Sequence, residues 1–463
     1  MEKTRTVSNP LGTERIGKLM VQFAVPSIIA LVVNSLYNMV DQIFIGNGVG
    51  YLGNAATNVI LPLMTVVLAV GQMIGDGCAA FMGLNMGKGK TEKAANGVGN
   101  AIVLTVVFGV VYTILCQIFL EPLCWMFGAT EQTISYCVEY GRPIILGFTF
   151  LTIDMAFTSI IRADGRANVS LYGMLIGCLA NVILDPIFIF VFKWGVAGAG
   201  WATIIGQFLN AVYFIFCIRK CKTVKVEKQH FSLKGKISGK MCILGLSSFI
   251  TQFALVIVIA VVNNTLKVTG EKSIYGADIP VSAMGVVMKV SQVLTSIVLG
   301  IATGILPVVS YNYGSKQYDR VKRLFKNAIV IGTIVMVAAF LILEIWPKQI
   351  VSIFGVQSEL YMDFAQKCLQ TYMLACFTVG MTIVIGIFFQ SIDKPIQSTV
   401  LSLLRQIIVL VPTVLILGAV GDVTTVLWAG PISDLAACIA SLIALALSWK
   451  KIFCEEGHVK WKK

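Results

Sequence analysis

Histidine is nearly absent from this sequence: only His230 and His458 occur in 463 residues. Both lie in polar segments, so no histidine is placed to hold a metal for an enzyme buried in an apolar phase. Charge is scarce as well. Asp, Glu, Lys and Arg make up 13% of the chain, about half of the roughly 25% found in soluble domains, which excludes an ordinary water-soluble fold. There is no G-x-x-x-x-G-K-[ST] phosphate loop, because GLNMGKGKT from Gly83 has the wrong spacing, and no ATPase is expected. The cysteines lie mostly inside apolar runs (Cys78, Cys116, Cys178, Cys217, Cys376, Cys438) without the spacing of a zinc site or a secreted disulfide framework, and read as apolar fillers. Met1 to Lys18 is polar and lacks a short apolar core with a cleavage site, so no removable signal peptide is expected.

What is present is hydrophobic length. Apolar residues make up 57% of the chain and come in blocks of about 20 or more, the length an α-helix needs to cross roughly 30 Å of hydrocarbon. Membrane-spanning β-strands are half as long and alternate, so a barrel is excluded. The blocks predict twelve spans near residues 17–46, 54–80, 94–120, 135–162, 167–192, 196–218, 238–268, 278–310, 325–346, 360–391, 397–420 and 423–449.

The net charge of +13 does not gather on one domain or interleave with aromatics, so nucleic acid is not an expected partner. Of the 36 Lys and Arg, only Lys193, Lys267, Lys272 and Lys348 fall in the connections after odd-numbered spans or beside them, and Arg142, Lys289, Lys367 and Arg405 fall within spans. The rest lie in the termini and the connections after even-numbered spans. By the positive-inside rule both termini are cytoplasmic, which agrees with an even number of crossings. The expectation is a multi-pass, monomeric protein of the cell membrane, with the lipid bilayer as its first partner. The polar stretch Arg219 to Lys240 carries eight bases against one acid, Glu227. It reads as a cytoplasmic linker (219–240) between an amino-terminal lobe, 1–218, and a carboxyl-terminal lobe, 241–463, with lipid binding as a sharper role.

The halves repeat. One offset of 227 residues sets Asn85 on Asn312, Gly87 on Gly314, Ala56 on Ala283, Asn100-Ala101 on Asn327-Ala328 and Phe127-Gly128 on Phe354-Gly355. A slip of two pairs Asp164 with Asp393, and a shift of five sets Asp41 opposite Asn263. Six is even, so both copies enter the membrane in the same sense, and the repeat is parallel. Such folds bind substrate between their lobes and rock them to alternate access.

A carboxylate near the middle of a membrane helix costs at least ~2.5–3.5 kcal/mol, so acids inside spans are candidates for function. In span one Asn34, Tyr37, Asn38 and Asp41 are spaced i, i+3, i+4, i+7 and share one polar stripe. Pro26 in the same helix removes a backbone hydrogen bond and permits a hinge. Span five holds Asn181 and Asp185 at i, i+4, followed by Pro186, and Thr203 early in span six adds a hydroxyl. Two acids on separate helices beside amides and hydroxyls can share a proton or hold a Na+ at Asp41, Asp185 and Asn181. Asp154, Lys289 and Asp434 stand near mid-span, where a substrate contact competes with a structural ion pair; Asn34, Asn38, Asp154 and Lys289 are the candidates for a substrate cavity. Asp76, between Gly75 and Gly77, reads as a capping or packing residue.

Pro26 through VDQIFIGNGVG (from Val40), GDGCAAFMGLNMGKG (from Gly75), ADGRANVS (from Ala163), NVILDP (from Asn181), GVAGAGWAT (from Gly195) and LPVVSYNYGS (from Leu306) occur in this order. In these segments the chain resembles the multidrug and toxic compound extrusion (MATE) transporters over nearly its whole length. The resemblance implies an all-α integral membrane protein: twelve transmembrane helices in two pseudo-symmetric six-helix lobes arranged as a V. It implies a secondary active antiporter that exports organic, mostly cationic drugs or metabolites against inward H+ or Na+, with no other cofactor. It also implies a coupling site at Asp41, Asn181 and Asp185, with Tyr37 and Thr203 beside them, and a bend at Pro26 when Asp41 takes up its proton. Other relatives use acids in spans seven and ten, where this chain has Asn263, Asn264 and Gln390. The alternative is a lipid-linked oligosaccharide flippase of the same superfamily, which requires Lys289, Arg405, Lys367 and Arg142 to converge on a basic cavity. An enzyme would need a cluster of catalytic side chains, and none is visible.

Overall fold

The computed structural model describes residues 10–49, 51–127, 129–218, 221, 223, 226–354, 359–450 and 452–453; for residues 38, 39, 41–43, 46–48, 51–55, 278 and 450 it describes the backbone alone. The described residues are helices and their connections, with no strand among them. The principal helices are α1 (Ile16–Gly48), α2 (Tyr51–Gly87), α3 (Thr91–Ile118), α4 (Ile134–Leu146), α5 (Phe148–Ala163), α6 (Ala167–Pro186), α7 (Gly195–Ile218), α8 (Gly235–Gly270), α9 (Asp278–Gly314), α10 (Tyr318–Ile345), α11 (Glu359–Tyr372), α12 (Cys376–Ser391), α13 (Pro395–Leu403), α14 (Val411–Val420) and α15 (Ala429–Lys450).

Ten helical stretches among the described residues are long and apolar enough to cross a membrane, and the number is twelve when each of two bent pairs is counted as one span. The pairs are α4 with α5, bent by 49°, and α11 with α12, bent by 45°. Hydropathy reads each pair as one continuous run, because a bend changes direction without changing composition. At the first bend the Gly147 N–H bonds the Ile144 carbonyl at 2.9 Å, a tightened turn. Proline acts elsewhere. Pro186 cannot donate to the carbonyl four residues earlier, and α6 runs on from it as a π-helical stretch, Ile187–Val191. A second such stretch, Leu404–Leu410, joins α13 to α14 and precedes Pro412. Across Pro26, by contrast, α1 stays one helix, and the Ser27 hydroxyl bonds the Phe23 carbonyl at 2.7 Å.

The chain forms two compact units that do not follow the halves of the repeat. The first comprises Met1–Phe249, Thr303–Leu324 and Ser391–Asp393; the second comprises Ile250–Ala302, Phe325–Gln390 and Lys394–Lys463. Within the first unit the ends of α8 and α9 nearest the linker pack on the amino-terminal helices, and there the repeat appears as reciprocal contact. A side chain at Gly87 would strike the Tyr311 carbonyl, and one at Gly314 would strike the Leu84 carbonyl. The residues of the second contact are those of the first moved by 227, as a two-fold crossing of α2 and α9 requires.

The turns that follow repeat bond for bond. Lys90 N–H bonds Asn85 O at 2.8 Å and Gln317 N–H bonds Asn312 O at 2.9 Å, while Asn85 and Asn312 each donate from Nδ2 to the carbonyl four residues earlier at 2.8 Å. One expected pairing is corrected. The left-handed turn positions are Gly165 (φ 87°) and Asp393 (φ 63°), so Asp393 corresponds to Gly165 and not to Asp164.

Candidate functional site

In the first unit α6 and α7 approach so closely that a Cβ on Gly206 would lie 2.7 Å from the Gly177 carbonyl. One turn further along α6 this brings Asn181 against Thr203. With donors facing acceptors, the Asn181 amide donates to Asp185 Oδ2 at 2.6 Å and accepts from the Thr203 N–H at 3.1 Å and hydroxyl at 3.0 Å. Asn181, Asp185 and Thr203 are 2%, 0% and 7% exposed. The amide thus connects a carboxylate on one helix to a hydroxyl and a backbone N–H on the next, and a donor on an ionised acid makes a short, strong bond.

Helix α1 runs beside this pair. Its Ala30, with Val33 and Tyr37, packs on Leu171, Met174 and Cys178 of α6, and further along Phe44 meets Phe190 edge-on at 6.4 Å between centroids. These contacts bracket the stretch of α1 holding position 41 against the stretch of α6 holding Asp185. The side chains of Asp41 and Asn38 lie outside the described residues. Tyr37 and Asn34 are both half-buried on α1.

A second polar layer lies deeper toward the linker. Asp154 of α5 is 2% exposed, hydrogen-bonds the Asn210 side chain of α7 and stands within electrostatic reach of Cys178. Among the described residues its Oδ1 has no hydrogen-bond partner and Asp154 forms no ion pair. Cys178 precedes Asp185 by seven residues, so the layers are separated by about 10 Å of helix. Asn210 was not among the expected site residues, although Thr203, Gln207 and Asn210 are spaced i, i+4, i+7 on an apolar helix, the same signal that marks α1.

Lys289 is exposed on α9 and belongs to the second unit, whereas Asp154 belongs to the first. Asp434, also in the second unit, takes Arg405 Nε at 3.1 Å. Lys367 pairs with Asp363 at 2.8 Å on the surface. Two of the four bases required for a pyrophosphate cavity are therefore already engaged by acids.

Asp76 is not a helix cap. At the linker end of the first unit its carboxylate accepts from Ser159 of α5 at 2.7 Å and from Ser248 of α8 at 2.9 Å. The buried Arg162 beside it donates from Nη1 to Thr303 of α9 at 2.7 Å. These bonds tie the amino-terminal helices to α8 and α9. The linker is held by Asn100 of α3, fully buried, which bonds the Ser232 carbonyl, the Lys234 N–H and the Ser238 hydroxyl at 3.1, 2.7 and 3.0 Å.

Comparison with known proteins follows the same outline. Multidrug export protein MepA of Staphylococcus haemolyticus (strain JCSC1435) is 23% identical over 438 residues, 93% of this chain and 94% of that protein. MepA of Staphylococcus saprophyticus is 23% identical over 447 residues, 96% of each. Among solved structures, a MATE in complex with MaL6 superposes with a TM-score of 0.88 at 21% identity, over 96% of this chain and 98% of the other. An outward-facing multidrug resistance MATE transporter of the MOP superfamily superposes with 0.87 at 22% identity, over 98% and 99%. The family model described as MatE matches residues 26–187 and 272–415, one block in each copy of the repeat and together well over half of the sequence. The chain belongs to the MatE family, and it is a transporter and not an enzyme.

Proposed function

We propose that this transporter exports organic, mostly cationic drugs or metabolites across the cell membrane in exchange for inward H+ or Na+, and that the coupling cation binds at Asp185 with Asp41, Asn181, Thr203 and Tyr37. The observation that carries this reading is the burial of Asp185 against Asn181 and Thr203 on two closely packed helices. The relatives named multidrug export proteins supply the substrate class. The termini face the cytoplasm in this reading, and the linker end is the inner end.

The two ions make opposite demands on Asn181. A carboxylate awaiting a proton is stabilised by the amide N–H, the orientation described above. A hard cation such as Na+ is held by oxygens, and the donor set fits it when the amide turns its carbonyl to join Asp185 and the Thr203 hydroxyl. In both cases the cation replaces an electrostatic deficit inside a low-dielectric bundle, and its arrival changes which side of the molecule is favoured.

The energies are commensurate. Moving one charge through 100 mV supplies ~2.3 kcal/mol, enough to bias two states by more than tenfold. The inner-end ties, Ser248 to Asp76 and Arg162 to Thr303, are hydrogen bonds to charged groups worth about 1.5–3 kcal/mol each. Opening the inner end breaks them, at a total cost of about 3–6 kcal/mol, of the same order as the ~4.6 kcal/mol that two translocated cations supply.

Reconstitution tests the proposal. Proteoliposomes loaded with a fluorescent cationic dye are given a proton gradient and a sodium gradient in separate experiments. Export is expected under one of them in the wild type and under neither in Asp185→Asn. Equal gradient-driven export by that variant, correctly inserted, overturns the assignment.

A further inference from the structure

A cavity of about 600 Å3 opens in the first unit at the linker end of α6 and α7, well away from Asp185. Gln22 of α1, Arg166 and Asn168 at the start of α6, and Tyr213, Phe216 and Cys217 of α7 line it. Arg166 is held in place from two sides, Nε on Asp164 and Nη2 on Cys221 Sγ at 3.6 Å. Asp164 is itself fixed by the Thr223 N–H at 2.9 Å. Among the described residues the Nη1 end of the guanidinium has no partner, and Tyr213 stands within its electrostatic reach. Arg166 is also the N-cap of the 20-residue α6 and supplies no side-chain bond to its first turn. The cavity therefore combines the open Nη1 end of a guanidinium, whose Nε side is already ion-paired with Asp164, with an uncapped helix end; the remaining N–H donors of both are aimed at an acceptor.

The rest of the wall is apolar and open. Phe216 is 61% exposed, and exposed apolar residues lead away along the two flanking helices, Val25 and Ile29 on α1 and Tyr172 and Ile176 on α6. A free inorganic anion has no use for such faces. Cys221 and Thr223, which bond Arg166 and Asp164 beside the cavity, belong in sequence to the basic stretch from Arg219, and a basic segment just inside a membrane attracts anionic lipid. We propose that this cavity is a binding site for an anionic phospholipid of the inner leaflet, with the headgroup phosphate on Arg166 and the acyl chains along α1 and α6.

The test uses the full-length protein in phosphatidylcholine nanodiscs, titrated with phosphatidylglycerol and followed by native mass spectrometry. Asn168 is exposed, so Asn168→Asp adds a negative charge at the rim and leaves the Asp164 and Arg166 contacts in place; Phe216→Asp does the same on the apolar wall. Wild type is expected to retain phosphatidylglycerol in preference to phosphatidylcholine, and each variant to bind it about fivefold more weakly, the effect of roughly 1 kcal/mol per charge near the surface. Equal retention of the two lipids, or binding unchanged in both variants, overturns the proposal. Displacement of the lipid by an equal concentration of inorganic phosphate also overturns it, since the site would then recognise phosphate without chains.

Discussion

The acids within the helices of the two units are held in opposite ways. In the second unit Asp434 faces Arg405, and the pair cancels its own charge. In the first unit Asp185 receives an amide N–H from Asn181, and Asp154 a side-chain bond from Asn210, donors that carry no net charge. The repeat sharpens the contrast. Offsets of 226 to 228 residues set Val411, Pro412 or Thr413 opposite Asp185, and Ile407, Ile408 or Val409 opposite Asn181. Duplication copied the scaffold and not the acid. An acid already paired with a guanidinium has little to gain from a proton or a sodium ion, whereas one bonded by a neutral amide has more to gain, which is the physical ground for proposing coupling in the amino-terminal half.

The largest expected effect separates these acids by function. Asp185→Asn should lower gradient-driven export by more than tenfold, the bias one charge gains at 100 mV, while Asp434→Asn should leave the dependence on the gradient intact; dye export at fixed substrate concentration measures both. The next separates them by stability. Asp434→Asn strands Arg405 and should cost about 3 kcal/mol, read as a lowered unfolding temperature in detergent, whereas replacing both partners by apolar residues of similar size should cost little. Asp185→Asn, which strands no cation among the described residues, should leave the unfolding temperature near that of wild type.

A smaller effect is expected at the inner end, where neutral hydroxyls meet charged groups. Ser248→Ala removes one bond to Asp76 worth ~1.5 kcal/mol and should raise the inward-accessible population about tenfold, read by cysteine labelling from the cytoplasmic side. The smallest concerns a thiol. Burial, then the Asp164 carboxylate, push the Cys221 thiol up to about 12, against the opposing pull of Arg166. It should resist maleimide at neutral pH and react only as the pH rises toward that value or after unfolding, because the thiolate is the nucleophile.

Much of this was legible in the sequence. Up to twelve spans follow from apolar length, the repeat from a fixed offset, and the pairing of Asn181 with Asp185 from helical spacing, whereas the placing of Thr203 beside them is what the family resemblance implied. The bends were not legible, since Gly147 breaks direction inside an unbroken apolar run. Neither was the role of Asp76, because its serines come from α5 and α8, 83 and 172 residues away. The correspondence of Asp393 with Gly165 was hidden because a left-handed turn is a backbone property that two different residues can share. Asn210 could have been found, since it continues the stripe begun by Thr203.

The most direct test of the central claim is the number of cations exchanged when substrate binds. Calorimetric titration of purified protein with a lipophilic cationic dye, repeated in buffers of different ionisation enthalpy and at several sodium concentrations, measures it, because mutual displacement is reciprocal. The account predicts release of H+ or Na+ on dye binding by wild type and by Asp434→Asn, and none by Asp185→Asn. Dye binding by Asp185→Asn that releases as many cations as wild type would contradict it.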